Sequence, residues 1–161
     1  IDTPGAYPGV LAEQTAQGTA IAVNLKEMAK LDVPVISIIS GEGCSGGALG
    51  LAVANKVMIL EYAYYTVISP EGCASILWRD ATMAKEASNA LKITGEDLLK
   101  FNIVDEIVKE SQGGAHKNPE ETANYLKEAI LKSIKEFKGM SPKKLKEQRY
   151  NRFRNLGVFL Q

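Results

Sequence analysis

Residues 35–54 carry the feature that most constrains how this chain can fold. Positions 35–40 read Val-Ile-Ser-Ile-Ile-Ser, and they run directly into Gly-Glu-Gly-Cys-Ser-Gly-Gly-Ala-Leu-Gly-Leu-Ala-Val-Ala at positions 41–54. A short, β-branched apolar run of this kind forms a strand buried on both faces. From Gly47 onward the residues are small enough for a helix to pack closely on the sheet that the strand belongs to. The first N–H groups of a helix have no intrahelical acceptor and sit at the positive end of its dipole. A glycine-dense turn that exposes them can bind an anion, or an oxygen that gains charge in a transition state. The same residues also read as a tight strand-to-helix turn with nothing bound, and the segment alone does not separate the two.

The remainder of the first two thirds alternates between the two kinds of element. Residues 15–31 predict an amphipathic helix with Ala16, Ala20, Val23, Met28 and Leu31 on the inner face and Lys26, Glu27 and Lys30 outside. Asp32 and Pro34 end it. Short strands are expected at 57–60 and 66–69, helices at 73–77 and 84–91, a helix capped by Thr94, and a strand over 103–108. Repeated strand-to-helix alternation argues for an α/β domain.

The last third, residues 118–161, reads as helical. Asn118-Pro119 followed by Glu120 and Glu121 is a helix start, with Ala123, Leu126, Ile130, Ile134 and Phe137 as the expected inner face and Gly139 as the stop. Ser141-Pro142 repeats the start signal for a second helix ending near Gly157. On it Lys143, Lys144, Lys146, Arg149, Arg152 and Arg154 face the single acid Glu147, with Tyr150 and Phe153 between them. Such a surface could meet the phosphates of a ligand or an acidic partner. The reading adopted is a solvated helix anchored by its two aromatics, the usual state of a charged helical face.

Charge and composition exclude several classes. Lys plus Arg and Asp plus Glu balance at 19 each, which gives no argument for a nucleic-acid or membrane-surface partner. No apolar run approaches the roughly 20 residues that span a bilayer. Cys44 and Cys73 have no Cys or His at ligand spacing, so no metal site is expected, and two reduced thiols fit a cytoplasm-like compartment.

Two side chains are candidates for covalent or proton chemistry. Gly43-Cys44-Ser45-Gly46-Gly47 matches Gly-x-Ser-x-Gly, yet a serine nucleophile needs a base, and the one histidine is His116 in a loop before a helix start. Serine hydrolysis is therefore disfavoured. Glu71 follows a strand and precedes a helix, where it serves as a general acid/base or simply complements the helix dipole.

Four segments together carry a resemblance: Ile-Asp-Thr-Pro-Gly-Ala-Tyr-Pro-Gly at 1–9, Gly-Glu-Gly-Cys-Ser-Gly-Gly-Ala-Leu at 41–49, Val-Ile-Ser-Pro-Glu-Gly-Cys-Ala-Ser-Ile-Leu-Trp at 67–78, and Gly-Gly-Ala-His-Lys-Asn-Pro at 113–119. In this order and spacing they resemble the carboxyltransferase α subunit of bacterial and plastid acetyl-CoA carboxylase. Cys44 departs from the glycine expected there in many members, a change small enough to leave the turn open.

The resemblance implies a crotonase-like (ClpP/crotonase) α/β fold, a spiral of ββα units with C-terminal helices. Residues 1–117 would be the C-terminal portion of the carboxyltransferase domain, 118–161 its helical extension, and the upstream half of the subunit would precede residue 1. The implied reaction transfers the carboxyl group of carboxybiotin, borne covalently by biotin carboxyl carrier protein, to acetyl-CoA, forming malonyl-CoA in the first committed step of fatty acid biosynthesis. The backbone N–H groups of Gly46 and Gly47, with Ala48 as alternate, would form one oxyanion hole, and Gly5, Ala6, Tyr7, Pro8, Gly43 and Ser45 would line the carboxybiotin pocket. A β subunit would bring the second oxyanion hole and a structural zinc in an α2β2 heterotetramer, with biotin carboxylase in the larger complex, in the cytoplasm or a plastid stroma. Two rival readings stay within related scaffolds. An acyl-CoA hydratase or isomerase would use Glu71, and a Clp-like hydrolase would use Ser45, although its histidine is expected near 68–71, where this chain has Ile-Ser-Pro-Glu.

Overall fold

In the computed structural model, which describes residues 1–157, the elements run α1 (Val10–Gln14), α2 (Gln17–Lys30), β1 (Ile36–Ile39), β2 (Glu42–Cys44), α3 (Ser45–Leu49), β3 (Lys56–Leu60), β4 (Tyr64–Thr66), α4 (Pro70–Leu77), a single 3₁₀ turn (Ala81–Met83), α5 (Ala84–Leu91), α6 (Gly95–Lys100), β5 (Glu106–Val108), α7 (Pro119–Phe137) and α8 (Pro142–Arg154). The strands make two parallel sheets, one ordered β1-β3-β5 and one pairing β2 with β4. In the larger sheet Ile36 lies opposite Lys56 and Ile39 opposite Ile59, while Met58 lies opposite Glu106. β3 is buried at all five positions, as a strand covered on both faces must be. Ile39, Val57, Met58, Ile59, Leu60, Leu98, Val104 and Val108 form the core, and Ala129 of α7 closes it. α7 thus shares the core of what precedes it.

Several expected boundaries move, each for a local reason. The strand expected at 66–69 is β4, at 64–66, because Ser69 instead caps α4, its hydroxyl accepting the Gly72 N–H at 3.1 Å with Pro70 at the first helical position. α2 begins only at Gln17, since Ala16 takes φ +57°. The strand over 103–108 shortens to β5 because Asp105 turns there, its carboxylate accepting the Val57 N–H at 2.7 Å while its own N–H donates to the Val57 carbonyl at 2.8 Å. α1 and β2 are additions that the sequence reading did not contain.

Three predicted faces are corrected. α2 turns Ile21, Asn24, Leu25 and Met28 inward and leaves Ala20 and Val23 exposed; it has no fully buried residue. α7 buries Thr122, Ala129, Ser133 and Phe137 rather than Ala123 and Ile134, which are exposed. Ser133 is tolerated inside because its hydroxyl donates to the Ala129 carbonyl at 2.8 Å. On α8 the expected aromatic anchor Tyr150 is 64 % exposed, while Arg149, expected in solvent, is 2 % exposed.

Candidate functional site

The first loop and β2 hold each other. The Thr3 N–H donates to the Glu42 carbonyl at 2.6 Å, and the Cys44 N–H donates to the Thr3 carbonyl at 3.1 Å. The Asp2 carboxylate accepts the Glu42 N–H at 2.9 Å, and the Thr3 hydroxyl accepts the Gly5 N–H at 3.1 Å. Gly5 stands at φ +110°, a conformation open to glycine, and lies directly on Ser45 and Gly47. Gly43 is packed from within: a Cβ there would come within 3.0–3.1 Å of Ile39, the Tyr64 carbonyl and Tyr65.

Between β2 and α3 the chain reverses through Ser45, which adopts φ +58°, costly for a residue with a Cβ. That reversal starts α3, with Cys44 as its N-cap. The Gly46 N–H donates to the Ser45 hydroxyl at 2.6 Å. Gly46 and Gly47 lie in the first turn, where N–H groups have no acceptor within the helix, whereas Ala48 is the fourth residue, the first whose N–H turns back to the N-cap carbonyl. The two glycine amides form a short row in front of the helix, the kind of concavity that suits negative charge. Cys44, just before it, is buried, and burial first and the Glu42 carboxylate second push its thiol up, away from a reactive thiolate.

Ser45 and Gly46 also form part of the wall of a cavity of about 960 Å³. Leu49 of α3, Tyr65 of β4, Val67, Leu91, Leu98, Phe101, Ile103 and Leu156 supply its apolar surface, with Lys100, Asn102 and Asn155 among its polar groups. Burial raises the Tyr65 phenol, and the charge of Arg152 offsets part of that rise, so the hydroxyl is neutral and a donor at physiological pH.

The structure brings only some of the sequence-derived candidates together. Ser45 and Gly46 line the cavity, and Gly5, Ser45 and Gly47 meet in one packed cluster. Ala48 is fully buried, and its N–H is at the helical position that pairs with the N-cap carbonyl. Tyr7 is 70 % exposed with its ring over Gly9, and neither it nor Ala6 or Pro8 is on the cavity wall. Glu71 lies exposed in the first turn of α4, where its charge complements the dipole. His116 rests its ring over Gly114, and among the described residues no histidine or carboxylate hydrogen-bonds Ser45. The sequence reading missed the cavity's far wall, because Tyr65, Leu91, Phe101, Ile103 and Leu156 come from separate elements and share no motif. No group of three His, Cys, Asp or Glu that could hold a metal occurs among the described residues, and no helix there is long and apolar enough to cross a membrane.

Known proteins share both sequence and architecture with this chain. A family model described as acetyl co-enzyme A carboxylase carboxyltransferase-like matches residues 1–157. The acetyl-coenzyme A carboxylase carboxyl transferase subunit alpha of Thermus thermophilus is 56 % identical over the whole chain, which covers 52 % of that protein, and that of Synechococcus elongatus is 55 % identical, with 49 % covered. The chain thus spans about half the length of the curated relatives it matches. Among solved structures, a Pseudomonas malonate decarboxylase hetero-tetramer in complex with coenzyme A aligns with TM-score 0.74 at 14 % identity, over 96 % of this chain and 62 % of its own. An enoyl-CoA hydratase/isomerase from Marinobacter aquaeolei aligns with TM-score 0.54 at 15 % identity, over 93 % of this chain and 56 % of its own. At that identity they establish the crotonase-like fold alone. With sequence identity above half along its whole length and a family match across every described residue, the chain belongs to the acetyl co-enzyme A carboxylase carboxyltransferase-like family.

Proposed function

We propose that this chain supplies one of two oxyanion sites of an acetyl-CoA carboxyltransferase, which moves the carboxyl group of carboxybiotin to the methyl carbon of acetyl-CoA. The observation that carries this reading is the turn into α3, where the reversal at Ser45 puts the N–H groups of Gly46 and Gly47 in the first helical turn, with Gly46 on the cavity wall.

The chemistry explains why donors suffice. Charge gathers on the ureido oxygen of biotin as its N–C bond breaks, and on the thioester oxygen as the methyl proton leaves, so two donor sets are needed. In this proposal Gly47 donates to the ureido oxygen, Gly46 joins it when its bond to the Ser45 hydroxyl opens, and Ala48 is the alternate. The freed ring nitrogen takes the methyl proton. No protein acid or base is required, which suits a site where Glu71 and His116 stand apart from the glycine turn. The second donor set and a structural zinc would come from a β subunit, with biotin on its carrier protein as the mobile donor. The Gly5 loop would border the same pocket.

The test combines the full-length subunit, its β partner and carboxylated carrier with acetyl-CoA. Malonyl-CoA is expected only from the complete mixture. Transfer by this subunit alone, or none from the mixture, would refute the reading.

A further inference from the structure

We propose that Arg149 is a positioning residue for the glycine turn, acting through α2; this rests on the carboxyltransferase reading only for its effect on rate. The guanidinium is 2 % exposed, and among the described residues no carboxylate pairs with it. Its acceptors are neutral. Nη1 donates to the carbonyls of Met28 at 2.9 Å, Ala29 at 3.3 Å and Leu31 at 3.0 Å, and Nη2 donates to Val33 at 2.8 Å. Nε and Nη2 both donate to the Asn55 side-chain oxygen, at 3.2 and 2.7 Å. Met28 and Ala29 are among the last carbonyls of α2, which lack the usual partner four residues on and carry the negative end of its dipole; among the described residues the Met28 carbonyl otherwise accepts only the long Leu31 N–H bond at 3.4 Å. Arg149 therefore caps α2 from another helix and ties it to the residue preceding β3.

Such a cap matters because none of the residues of α2 is fully buried. The helix packs on α1 and α8, and toward the site Ile21 lies over Gly46 and Gly50 while the Asn24 amide donates to the Gly50 carbonyl. α2 is thus a strut fixed at its C-terminus by Arg149 and resting on α3 and Gly50 through Ile21 and Asn24. The Lys146–Asp32 ion pair at 2.7 Å adds a second, solvent-exposed tie at the same end. Asn55 completes the joint, its amide donating to the Leu145 carbonyl at 2.8 Å and its side-chain oxygen also accepting the Val35 N–H at 3.0 Å. Releasing the strut lets α3 relax, and with it the amides of Gly46 and Gly47.

Hydrogen exchange on the full-length subunit reads this directly. The reporter amides are Gly50, which donates to Gly46 at 2.9 Å, and Leu51, which donates to Ala48 at 3.0 Å. In Arg149→Met, α2 and these two amides are expected to exchange at least about tenfold faster while β3 and α7 keep their protection. Arg149→Lys, which still reaches some of the carbonyls, should recover part of the loss. In the assembled enzyme the same series should lower kcat, with the KM for acetyl-CoA little changed. Should Arg149→Met fail to fold, Asn24→Ala cuts the strut at its other end and must loosen Gly50 and Leu51 while leaving α8 protected. Unchanged exchange at Gly50 and Leu51, or a uniform loss that includes β3 and α7, overturns the proposal. A wild-type enzyme without carboxyl transfer sinks the functional reading and leaves the exchange result to decide the coupling.

Discussion

Gly47 packs face to face with Gly5: a Cβ on Gly47 would stand 3.1 Å from the Gly5 carbonyl carbon and 3.2 Å from its α carbon. The first loop thus leaves little room for a side chain at 47. Gly46 is different, since the nearest atom to a Cβ there is Ile21 Cδ1 at 3.8 Å. Gly47→Ala is expected to cost about 1–3 kcal/mol by overpacking against backbone. Gly46→Ala should be neutral or stabilise by up to about 1 kcal/mol through a less flexible unfolded chain. Thermal unfolding of the two variants checks the order, and Gly47→Val should also abolish transfer by displacing the Gly5 loop. Equal stability in the two alanine variants would contradict the packing argument.

Ser45 pairs a positive φ with a hydroxyl that only its neighbour uses. Ser45→Gly should therefore stabilise the fold by about 1 kcal/mol through relief of that conformation. Ser45→Ala should slow transfer by less than about tenfold, because the hydroxyl occupies the Gly46 amide and attacks nothing. Nucleophiles cost a thousandfold or more on removal. A loss of that size in steady-state kinetics would revive the hydrolase alternative.

Where the fold was legible in advance, local pattern and tertiary need agreed. The run at 35–40 and the apolar stretch at 57–60 announce β1 and β3 because a parallel strand inside an α/β sheet is apolar along most of its length, β3 covered on both faces and β1 with Ile36 and Ile38 half-buried. Asn118-Pro119 and Ser141-Pro142 mark helix starts through backbone chemistry that needs no partner, and both hydroxyl or amide caps form as expected. Faces were less legible. Ile134 and Ser133 exchange roles on α7 because a helical serine can satisfy its hydroxyl on its own backbone and so pass for apolar. Arg149 reads as a surface charge in any window of sequence; only the arrival of the α2 carbonyls at one point makes its burial favourable. The glycine turn itself was readable, but the cavity beside it was not, since its wall is assembled from residues up to Gly157.

Lys56 sits inside the sheet between two carboxylates, 2.9 Å from Glu106 and 3.0 Å from Glu136, and Lys132 adds a bond to Glu106 at 3.2 Å. Burial works to raise Glu106, but the bonds and charges of Lys56 and Lys132 outweigh it and hold the carboxyl below its usual 4.5. Burial likewise works to lower Lys56, and its two carboxylates leave it raised above 10.5. The depressed carboxyl contributes stability that is present above its unfolded value and lost as pH falls through its folded one. The raised lysine contributes stability that is present below its unfolded value and lost as pH climbs through its folded one. This cluster should accordingly add no pH dependence between about pH 5 and 10. Glu106→Gln should cost about 1–3 kcal/mol at pH 7 and flatten the acid limb in urea titrations across pH. An unchanged acid limb would show that the cluster does not act there.

Glu71 lies exposed in the first turn of α4, behind the Ser69 cap, and its carbonyl accepts the Ser75 hydroxyl at 2.8 Å. A hydratase would need its carboxylate to share a proton with a water held by a second acid. Among the described residues, no hydrogen bond reaches the Glu71 carboxylate, and the first-turn amides of α3 belong to Gly46 and Gly47. If biotin's own nitrogen takes the methyl proton, Glu71→Gln should lower carboxyl transfer by less than about fivefold, far short of the loss of a general acid or base. The assembled enzyme should also leave crotonyl-CoA unhydrated. Formation of 3-hydroxybutyryl-CoA that disappears in Glu71→Gln would place a proton-transfer role on this residue and overturn the assignment of catalysis to backbone donors alone.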